Sequence, residues 1–340
     1  MINKLKKEYN RFITKQFKKQ NSAYIKYLEE QTNKFELIYD LQFVEIWKDY
    51  YFQNKNLLEN KFNHLTQNLD NKSIEAAYNM WNRAVHILPT KQYLNTQSIV
   101  INREQFFSNN EIIEQNVFNE ISLLFKEKYL LPKHIHEVSV FGNHHGLKYL
   151  PENIVDRIKN KDILDIGAFV GDSALVLNEY NPKIIHCFEP VKSNYDLIQK
   201  TIEMNNLKNI ITYNFGVGNK EGEIEIKGGG NVASLNQDIG ASKDKSEKIK
   251  ITTLDKFESE NDLEIGLIKI DIEGFELECI QNSIETIKKH KPILLISIYH
   301  HPKDFFEIKP LLEKLDLGYK FLIRKTNPFS LVYETMLIAY

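Results

Sequence analysis

The fold is decided by one stretch of sequence, Asp162-Ile163-Leu164-Asp165-Ile166-Gly167-Ala168-Phe169-Val170-Gly171-Asp172-Ser173. A short apolar run ends in an acid and breaks into a turn that contains two glycines. A helical pattern, Ala174-Leu175-Val176-Leu177, follows the turn. This succession is typical of a buried parallel strand that leads into a helix. Because open α/β sheets bind ligands at the carboxyl ends of their strands, the turn is predicted to be a ligand site.

The spacing of the glycines separates two classes of nucleotide ligand. A dinucleotide site requires G-x-G-x-x-G, but Phe169 occupies the middle position, where a side chain would crowd a pyrophosphate. The remaining pattern, D-x-G-x-x-x-G-D-S, resembles the first motif of the class I S-adenosylmethionine (SAM) methyltransferases, whose cofactor has no pyrophosphate. The alternative is a plain strand-to-helix turn with glycines for geometry alone.

The composition is that of a soluble globular protein. The 340 residues suffice for one large domain and a smaller one, with 42% hydrophobic and 26% charged residues. A net charge of −2 gives no reason to expect a nucleic-acid partner. Cys187 and Cys279 form neither a zinc pattern nor a disulfide framework, which indicates a reducing compartment. The longest apolar run, residues 293–299, is too short for a membrane helix, and no signal core is present, so we predict a cytoplasmic protein.

Residues 1–131 are predicted to form an all-helical N-terminal domain. The domain begins with a basic amphipathic helix. This helix either contacts a membrane surface or a partner, or packs its apolar side against the domain and exposes its basic side to solvent. Residues 24–51 are predicted to form one long helix or two abutting ones. Ser73 opens a further helix over residues 74–88, and Ser108 with Glu111 forms a capping box for a helix that reaches about Tyr129. Because no catalytic motif occurs here, the region is expected to serve docking, substrate specificity or homodimerisation.

A connector begins at Pro132. Residues 138–141 are predicted to form a short strand and residues 147–158 a helix. Between them, His144 and His145 lie in a glycine-bounded loop, which is either a solvated turn or a substrate contact at the lip of a site.

From Asp162 onward, strands alternate with helices, which predicts a parallel sheet. Between the third and fourth strands, residues 223–227 and 248–252 predict an added hairpin around Gly228-Gly229-Gly230. The triple glycine is interpreted as a flexible loop, since the lysine and serine of a phosphate-binding loop do not follow it. Two strands at residues 319–324 and 334–340 are predicted to close the sheet as an antiparallel pair.

Polar residues follow the carboxyl ends of three strands. Glu189 lies about twenty residues beyond the glycine turn, where an acid commonly binds ribose hydroxyls. The fourth strand ends in Asp271-Ile272-Glu273-Gly274-Phe275-Glu276 and the fifth in His300-His301. These side chains are expected to lie close to the first strand.

Four segments, in this order, resemble the FkbM family of SAM-dependent methyltransferases: residues 165–172, Glu189-Pro190, Thr253-Leu254-Asp255 and residues 268–276. The resemblance covers roughly residues 138–340, so residues 132–340 are predicted to form the methyltransferase domain. It implies a class I, Rossmann-like α/β fold with a seven-stranded sheet whose last strand is antiparallel. It also implies methyl transfer mostly to hydroxyls of sugars or natural products, and therefore a small-molecule or glycan substrate.

The same resemblance implies roles by position. Glu189 would bind the ribose of SAM, Val217 would flank the adenine, and Asp271 would also contact the cofactor. The methionine part would be held by the turn residues Asp165, Gly167, Ala168, Gly171, Asp172 and Ser173.

An alcohol needs activation to attack a methyl group, and two devices fit the sequence. In one, His300 or His301 is a general base. In the other, Asp271, Glu273 and His300 hold Mg²⁺ or Mn²⁺, which acidifies a bound hydroxyl. A purely structural interpretation remains, in which Asp271 organises its loop, Glu273 caps a helix and the histidines pack.

Two other classes of function stay open. One is a nucleotide-sugar-binding enzyme such as a glycosyltransferase, since Asp271-Ile272-Glu273 is a loose relative of a D-x-D motif. The other is an adaptor whose sheet has lost its activity.

Overall fold

The computed structural model describes residues 35–38, 44–87, 99–102, 107–132, 136–227, 246–328, 330 and 332–340. The predicted basic helix at the N-terminus and the triple glycine of the hairpin lie outside these residues. Among the helices that are described, none has the length and apolar character needed to cross a membrane.

The segment before the sheet combines helices with a two-stranded ladder. Strand β1 (Phe35–Ile38) pairs antiparallel with β2 (Ile99–Asn102). The helix predicted over residues 24–51 is therefore wrong at β1, because the strand is stabilised by a distant partner that no local pattern reveals. The helices of this segment are α1 (Val44–Asn54), α2 (Leu58–Thr66), α3 (Asn71–Asn82) and α4 (Asn109–Lys128).

The caps of two helices test the predicted starts. The capping box of α4 is confirmed, since Ser108 Oγ accepts from Glu111 N and the Glu111 carboxylate accepts from Ser108 N. Helix α3 starts before Ser73, because Asp70 caps it by accepting from Ser73 N. The Ser73 hydroxyl instead accepts from Ile323 N at 2.9 Å, which ties the helix to the sheet.

The connector is made of short turns. The strand predicted over residues 138–141 is wrong, since Val138–Gly142 forms a single helical turn. The helix predicted over residues 147–158 is divided into a 3₁₀ segment, His144–Tyr149, and helix α5 (Glu152–Val155). Pro151 separates the two because its ring disfavours a helical conformation in the residue before it.

The rest of the chain alternates strands and helices. The strands are β3 (Asp162–Ile166), β4 (Ile185–Phe188), β5 (Ile210–Tyr213), β6 (Gly216–Val217), β7 (Gly222–Lys227), β8 (Ser246–Thr252), β9 (Ile265–Ile270), β10 (Ile293–Ser297), β11 (Phe321–Lys325) and β12 (Thr335–Ala339). The helices are α6 (Asp172–Leu177), α7 (Lys192–Met204), α8 (Leu254–Ser259), α9 (Glu276–Gln281), α10 (Ile284–His290) and α11 (Pro302–Glu313).

The main sheet has seven strands in the order β11-β12-β10-β9-β3-β4-β5. Five strands of this sheet, β5, β4, β3, β9 and β10, are parallel to one another. Strand β12 runs antiparallel to both of its neighbours, β10 and β11. The predicted class I sheet with an antiparallel last strand is thus confirmed. It places β3 between β4 and β9, so the carboxyl ends of these strands share one edge.

The added hairpin is also confirmed. Strand β7 pairs antiparallel with β8, and the short β6 pairs with β8 in parallel. Its isoleucines pack in a small cluster with Val191.

The chain between β9 and β10 forms two helices, α9 and α10. The break is stabilised by Asp255, which accepts hydrogen bonds from Glu285 N and from Thr286 N, the latter at 2.8 Å. Asp255 ends the Thr253-Leu254-Asp255 motif, so this motif has a structural role here.

The N-terminal helices share a core with the sheet domain. Trp81 and Phe62 pack edge to face on Phe306 of α11, with ring centroids 5.4 and 5.2 Å apart. Trp47 packs in the same way on Phe305 at 5.5 Å. Aromatic pairs in this geometry contribute beyond the area that they bury. The division at residues 131 and 132 stays a prediction, and the packing across it is continuous.

Candidate active site

The glycine turn after β3 touches the end of β9. Asp271 N donates to Ile166 O at 3.0 Å, so the two strand ends lie side by side. Gly167 has a φ of 83°, and a Cβ atom built on it would lie 1.9 Å from Asp271 O. The close approach of two backbones explains why a glycine occupies this position.

A buried ion pair supports the turn from below. Lys269 Nζ lies 3.2 Å from Asp165 Oδ1 and donates to Gly167 O at 2.8 Å. Burial raises the pKa of Asp165 and the charge of Lys269 lowers it, with burial the larger effect. Asp165 is fully buried, so its carboxylate acts on the turn through Lys269. Sequence reasoning gave Lys269 no role, although a single lysine in the otherwise apolar strand β9 was a usable signal.

Glu189 is tied to the same turn. Its carboxylate accepts from Phe169 N and from Val191 N, both at 2.9 Å. Burial raises the pKa of Glu189 to about 7, against the lowering effect of these hydrogen bonds. The glycine turn and Glu189, which lie about twenty residues apart in the sequence, are therefore in direct contact in the structure.

The histidines of the connector lie behind the turn. His145 Nε2 is 2.9 Å from Ser173 Oγ, and His144 Nδ1 is 2.7 Å from Tyr180 OH. Both histidines are buried, so the solvated-turn interpretation is wrong. Asp172, also buried in the first turn of α6, has its pKa raised to about 6 by burial.

Two of the remaining residues proposed to bind the cofactor lie in the turn, and the third, Val217, lies in β6. Ala168 is buried and its N–H donates to Phe188 O at 3.0 Å. Gly171, with a φ of 80°, ends the turn before α6. Val217, in β6, is buried in the main core.

Asp271, Glu273 and His300 form a cluster at the ends of β9 and β10. His300 Nε2 lies 3.5 Å from Asp271 Oδ1 and 3.6 Å from Glu273 Oε2. The structure therefore brings together the three residues predicted as metal ligands. His301 instead caps α11, where its Nδ1 accepts from Lys303 N at 3.0 Å.

Glu276 orients the histidine of this cluster. Its Oε1 lies 2.9 Å from His300 Nδ1, and its carboxylate accepts from Ile272 N at 2.8 Å and Gly274 N at 3.0 Å. Both side chains are fully buried. A carboxylate behind a histidine fixes which ring nitrogen faces the site, here Nε2. Glu276 ends the motif at residues 268–276, but the sequence alone predicts no role for it.

The cluster has an unusual charge state. Burial lowers the pKa of His300, but the carboxylates of Glu276, Glu273 and Asp271 outweigh it and raise the pKa to about 10. Burial raises the pKa of Glu273 to about 7. The surrounding carboxylates thus favour the protonated form of His300.

The donor set fits a divalent cation. Two carboxylates and one imidazole nitrogen face one another, and oxygen ligands with a single imidazole suit Mg²⁺ or Mn²⁺. Among the described residues, the group whose ligand atoms all lie within 4.8 Å of one another is Asp271, Glu276 and His300, without Glu273. Because Glu276 lies at Nδ1 of His300 and the other two acids lie at Nε2, we expect Glu276 to orient His300 rather than to bind the cation.

A hydrogen bond connects helix α1 of the N-terminal segment to this cluster. Trp47 Nε1 of α1 donates to Tyr299 O at 3.1 Å, and the indole is fully buried. Tyr299 directly precedes His300, so α1 fixes the backbone that carries the histidine.

Trp47→Phe is expected to cost about 1–3 kcal/mol more in free energy of unfolding than Trp81→Phe, because it removes a buried hydrogen bond to the Tyr299 carbonyl. Trp81 is the matched control, since its ring packs edge to face on Trp47 in the same cluster. Urea unfolding of both variants measures the difference. Equal losses would show that the hydrogen bond adds nothing to the packing.

The order of the sheet, the glycine turn after its central strand and the polar cluster at its carboxyl edge define a class I methyltransferase fold. Residues 165–321 match the family described as the Methyltransferase FkbM domain, and this part of the chain belongs to that family. These residues accordingly form a methyltransferase domain of the FkbM type.

Solved structures are similar in fold. Methyltransferase FkbM from Methylobacillus flagellatus KT superposes with a TM-score of 0.54 at 18% identity, covering 87% of this chain and 61% of that one. The chain thus spans less than two thirds of that protein. The O-methyltransferase from Bacillus cereus in complex with SAH has a TM-score of 0.40 at 12% identity, covering 67% of this chain and 96% of that one. No curated protein matches the sequence.

Proposed function

We propose that the protein transfers a methyl group from SAM to a hydroxyl of a sugar, which is free, nucleotide-linked or part of a surface glycan. The observation that carries this proposal is the Asp271–Glu273–His300 cluster beside the glycine turn of β3. The backbone contact between Asp271 and Ile166 keeps the cofactor turn and the cluster adjacent.

The turn and Glu189 are the proposed cofactor site. When bound, SAM would supply a methyl group on a positively charged sulfonium. The turn from Gly167 to Ser173 would hold its methionine part, with Asp165 acting from below through Lys269. Glu189 already accepts two backbone hydrogen bonds, but each carboxylate oxygen keeps a second lone pair for a ribose hydroxyl. Val217 would flank the adenine.

The cluster is the proposed acceptor site, and its task is to orient and activate a hydroxyl. Methyl transfer is an in-line displacement at the methyl carbon of SAM. Alignment of the acceptor oxygen with the methyl group and the sulfur can alone lower the barrier by about 7–11 kcal/mol. Both devices, histidine base and metal, require Nε2 of His300 to lose its proton, since a protonated nitrogen neither accepts a proton nor binds a cation. Asp271, Glu273 and His300 would hold Mg²⁺ or Mn²⁺, which would lower the pKa of the acceptor hydroxyl.

His300→Ala is expected to lower turnover by about 10²–10⁴-fold, because either device loses its shared residue. SAM binding, measured by calorimetry on the full chain, should stay unchanged. Turnover is measured as SAH release with a panel of free and nucleotide-linked sugars. The control is His301→Ala, which removes the cap of α11 and should keep near wild-type turnover.

Retention of near wild-type turnover by His300→Ala would contradict both devices. Exhaustive metal removal then separates them: activity that a chelator leaves unaffected excludes the metal, and activity restored by Mn²⁺ supports it. Binding of UDP- or GDP-sugars without any binding of SAM would instead indicate a nucleotide-sugar enzyme, the class that the two carboxylates at the sheet edge would also fit.

A further inference from the structure

Glu334 lies at the same edge of the sheet as the cluster. Strand β12 is antiparallel to β10, with Ser297 opposite Met336, and Ile298 N donates to Thr335 O at 2.9 Å. Continuing this register sets Glu334 opposite Tyr299. Because β12 runs against the parallel strands, its first residues lie where those strands end.

The Glu334 side chain is buried and only half satisfied. It is 8% exposed, and Tyr299 OH donates to its Oε1 at 3.2 Å. Its Oε2 is buried and has no hydrogen-bond partner among the described residues. Such groups are costly in a folded protein and call for an explanation, such as a role in binding.

The backbone holds this side chain in place. Glu334 has a φ of 58°, which is uncommon for a residue other than glycine. Its carbonyl accepts from Thr326 N at 2.8 Å and from Thr326 Oγ1 at 3.0 Å, which keeps the residue in this conformation. Uncommon backbone conformations concentrate at functional sites.

Glu334 is electrostatically part of the cluster. Burial and the charge of Asp271 raise the pKa of Glu334 to about 8, and His300 acts in the opposite direction. Burial, Asp271 and Glu334 together raise the pKa of Tyr299. Glu334 thus interacts electrostatically with Asp271, Glu273 and His300.

We propose that Glu334 binds the acceptor, with Oε2 accepting a hydrogen bond from a hydroxyl next to the one that is methylated. This assignment rests on the proposed function. It narrows the substrate class to neutral polyols with neighbouring hydroxyls. A phosphate next to the reacting hydroxyl would be repelled by the carboxylates that line the site, so in a nucleotide-linked acceptor the phosphates lie away from it.

The experiment compares Glu334→Gln with wild type on an acceptor that releases SAH and on its analogue that lacks the neighbouring hydroxyl. In wild type the deoxy analogue is expected to lower kcat/KM by about 10–100-fold, since it leaves a buried acceptor unpaired. Glu334→Gln should raise the KM for the parent acceptor by at least about tenfold. Its kcat/KM values for the parent and deoxy acceptors should differ little. Its affinity for SAM should be unchanged, and its melting temperature equal to or above that of wild type, because an unpaired buried carboxylate is gone.

The control is Glu307→Gln, which changes a surface acid paired with Lys61. This variant should have the KM and kcat/KM of wild type for both acceptors. An unchanged acceptor KM in Glu334→Gln, with SAH released by wild type, overturns the assignment alone. Equal kcat/KM of wild type on the parent and deoxy acceptors also overturns it, and that comparison needs no variant to fold. No SAH release by wild type from any hydroxyl acceptor overturns the proposed function, and the assignment with it.

Discussion

Gly167→Ala is expected to destabilise the protein by about 2–5 kcal/mol and to abolish SAM binding. The added Cβ would lie 1.9 Å from the Asp271 carbonyl oxygen, and both atoms belong to backbones that the parallel ladder fixes. The left-handed φ costs an alanine about 1–2 kcal/mol, and overpacking adds about 1–3 kcal/mol. Relief would require the end of β3 to move away from β9, which separates the cofactor turn from the cluster.

Gly318→Ala is the matched control for this variant. Gly318 has a φ of 78°, close to the 83° of Gly167, but a Cβ built on it meets nothing within 4 Å. Urea unfolding of the two variants therefore isolates the contact with Asp271 from the conformational cost. Calorimetry with SAM gives the second measurement. Equal losses of stability, or SAM binding retained by Gly167→Ala, would contradict the role given to this close approach.

The sequence sufficed for the sheet and for the positions of the strand ends. In a parallel sheet the carboxyl ends of neighbouring strands share one edge, so Glu189, Asp271 and His300 could be placed near the glycine turn from their order alone. Glycine at positions 167 and 171 marked the turn because its φ values exclude most other residues. These predictions needed only local patterns and one rule of topology.

Several features that the sequence did not reveal depend on distant partners. Strand β1 pairs with residues about sixty positions away, so its ladder leaves no local trace. The indole of Trp47 reaches the Tyr299 carbonyl across 252 positions of sequence. Glu334 could not be recognised as a candidate site residue from the sequence either. Its position opposite Tyr299 depends on the register of β12 against β10.

Lys269→Met is expected to cost about 3–5 kcal/mol at pH 8, because it leaves the Asp165 carboxylate buried without its counter-charge. It also removes the donor to Gly167 O, so the affinity for SAM should fall. Lys288→Met is the control: this lysine pairs with Glu285 on the surface, and its loss should change stability by no more than about 0.5 kcal/mol.

The pH dependence of Lys269→Met has a definite sign. Burial already raises the pKa of Asp165 in the folded protein, and loss of the lysine raises it further. An acid with a raised folded pKa costs stability as pH rises from its unfolded value, near about 3.9, through its folded value. The destabilisation relative to wild type should therefore be smaller at pH 5 than at pH 8.

A double variant separates the charge from the packing. Asp165→Asn combined with Lys269→Met removes both charges, so its loss of stability should be smaller than the sum of the two single losses. Urea unfolding of the four proteins at pH 8 gives the coupling. Strictly additive losses would mean that Lys269 stabilises the turn through its bond to Gly167 and not through Asp165, and the aspartate of the first motif would then need another partner at this edge of the sheet.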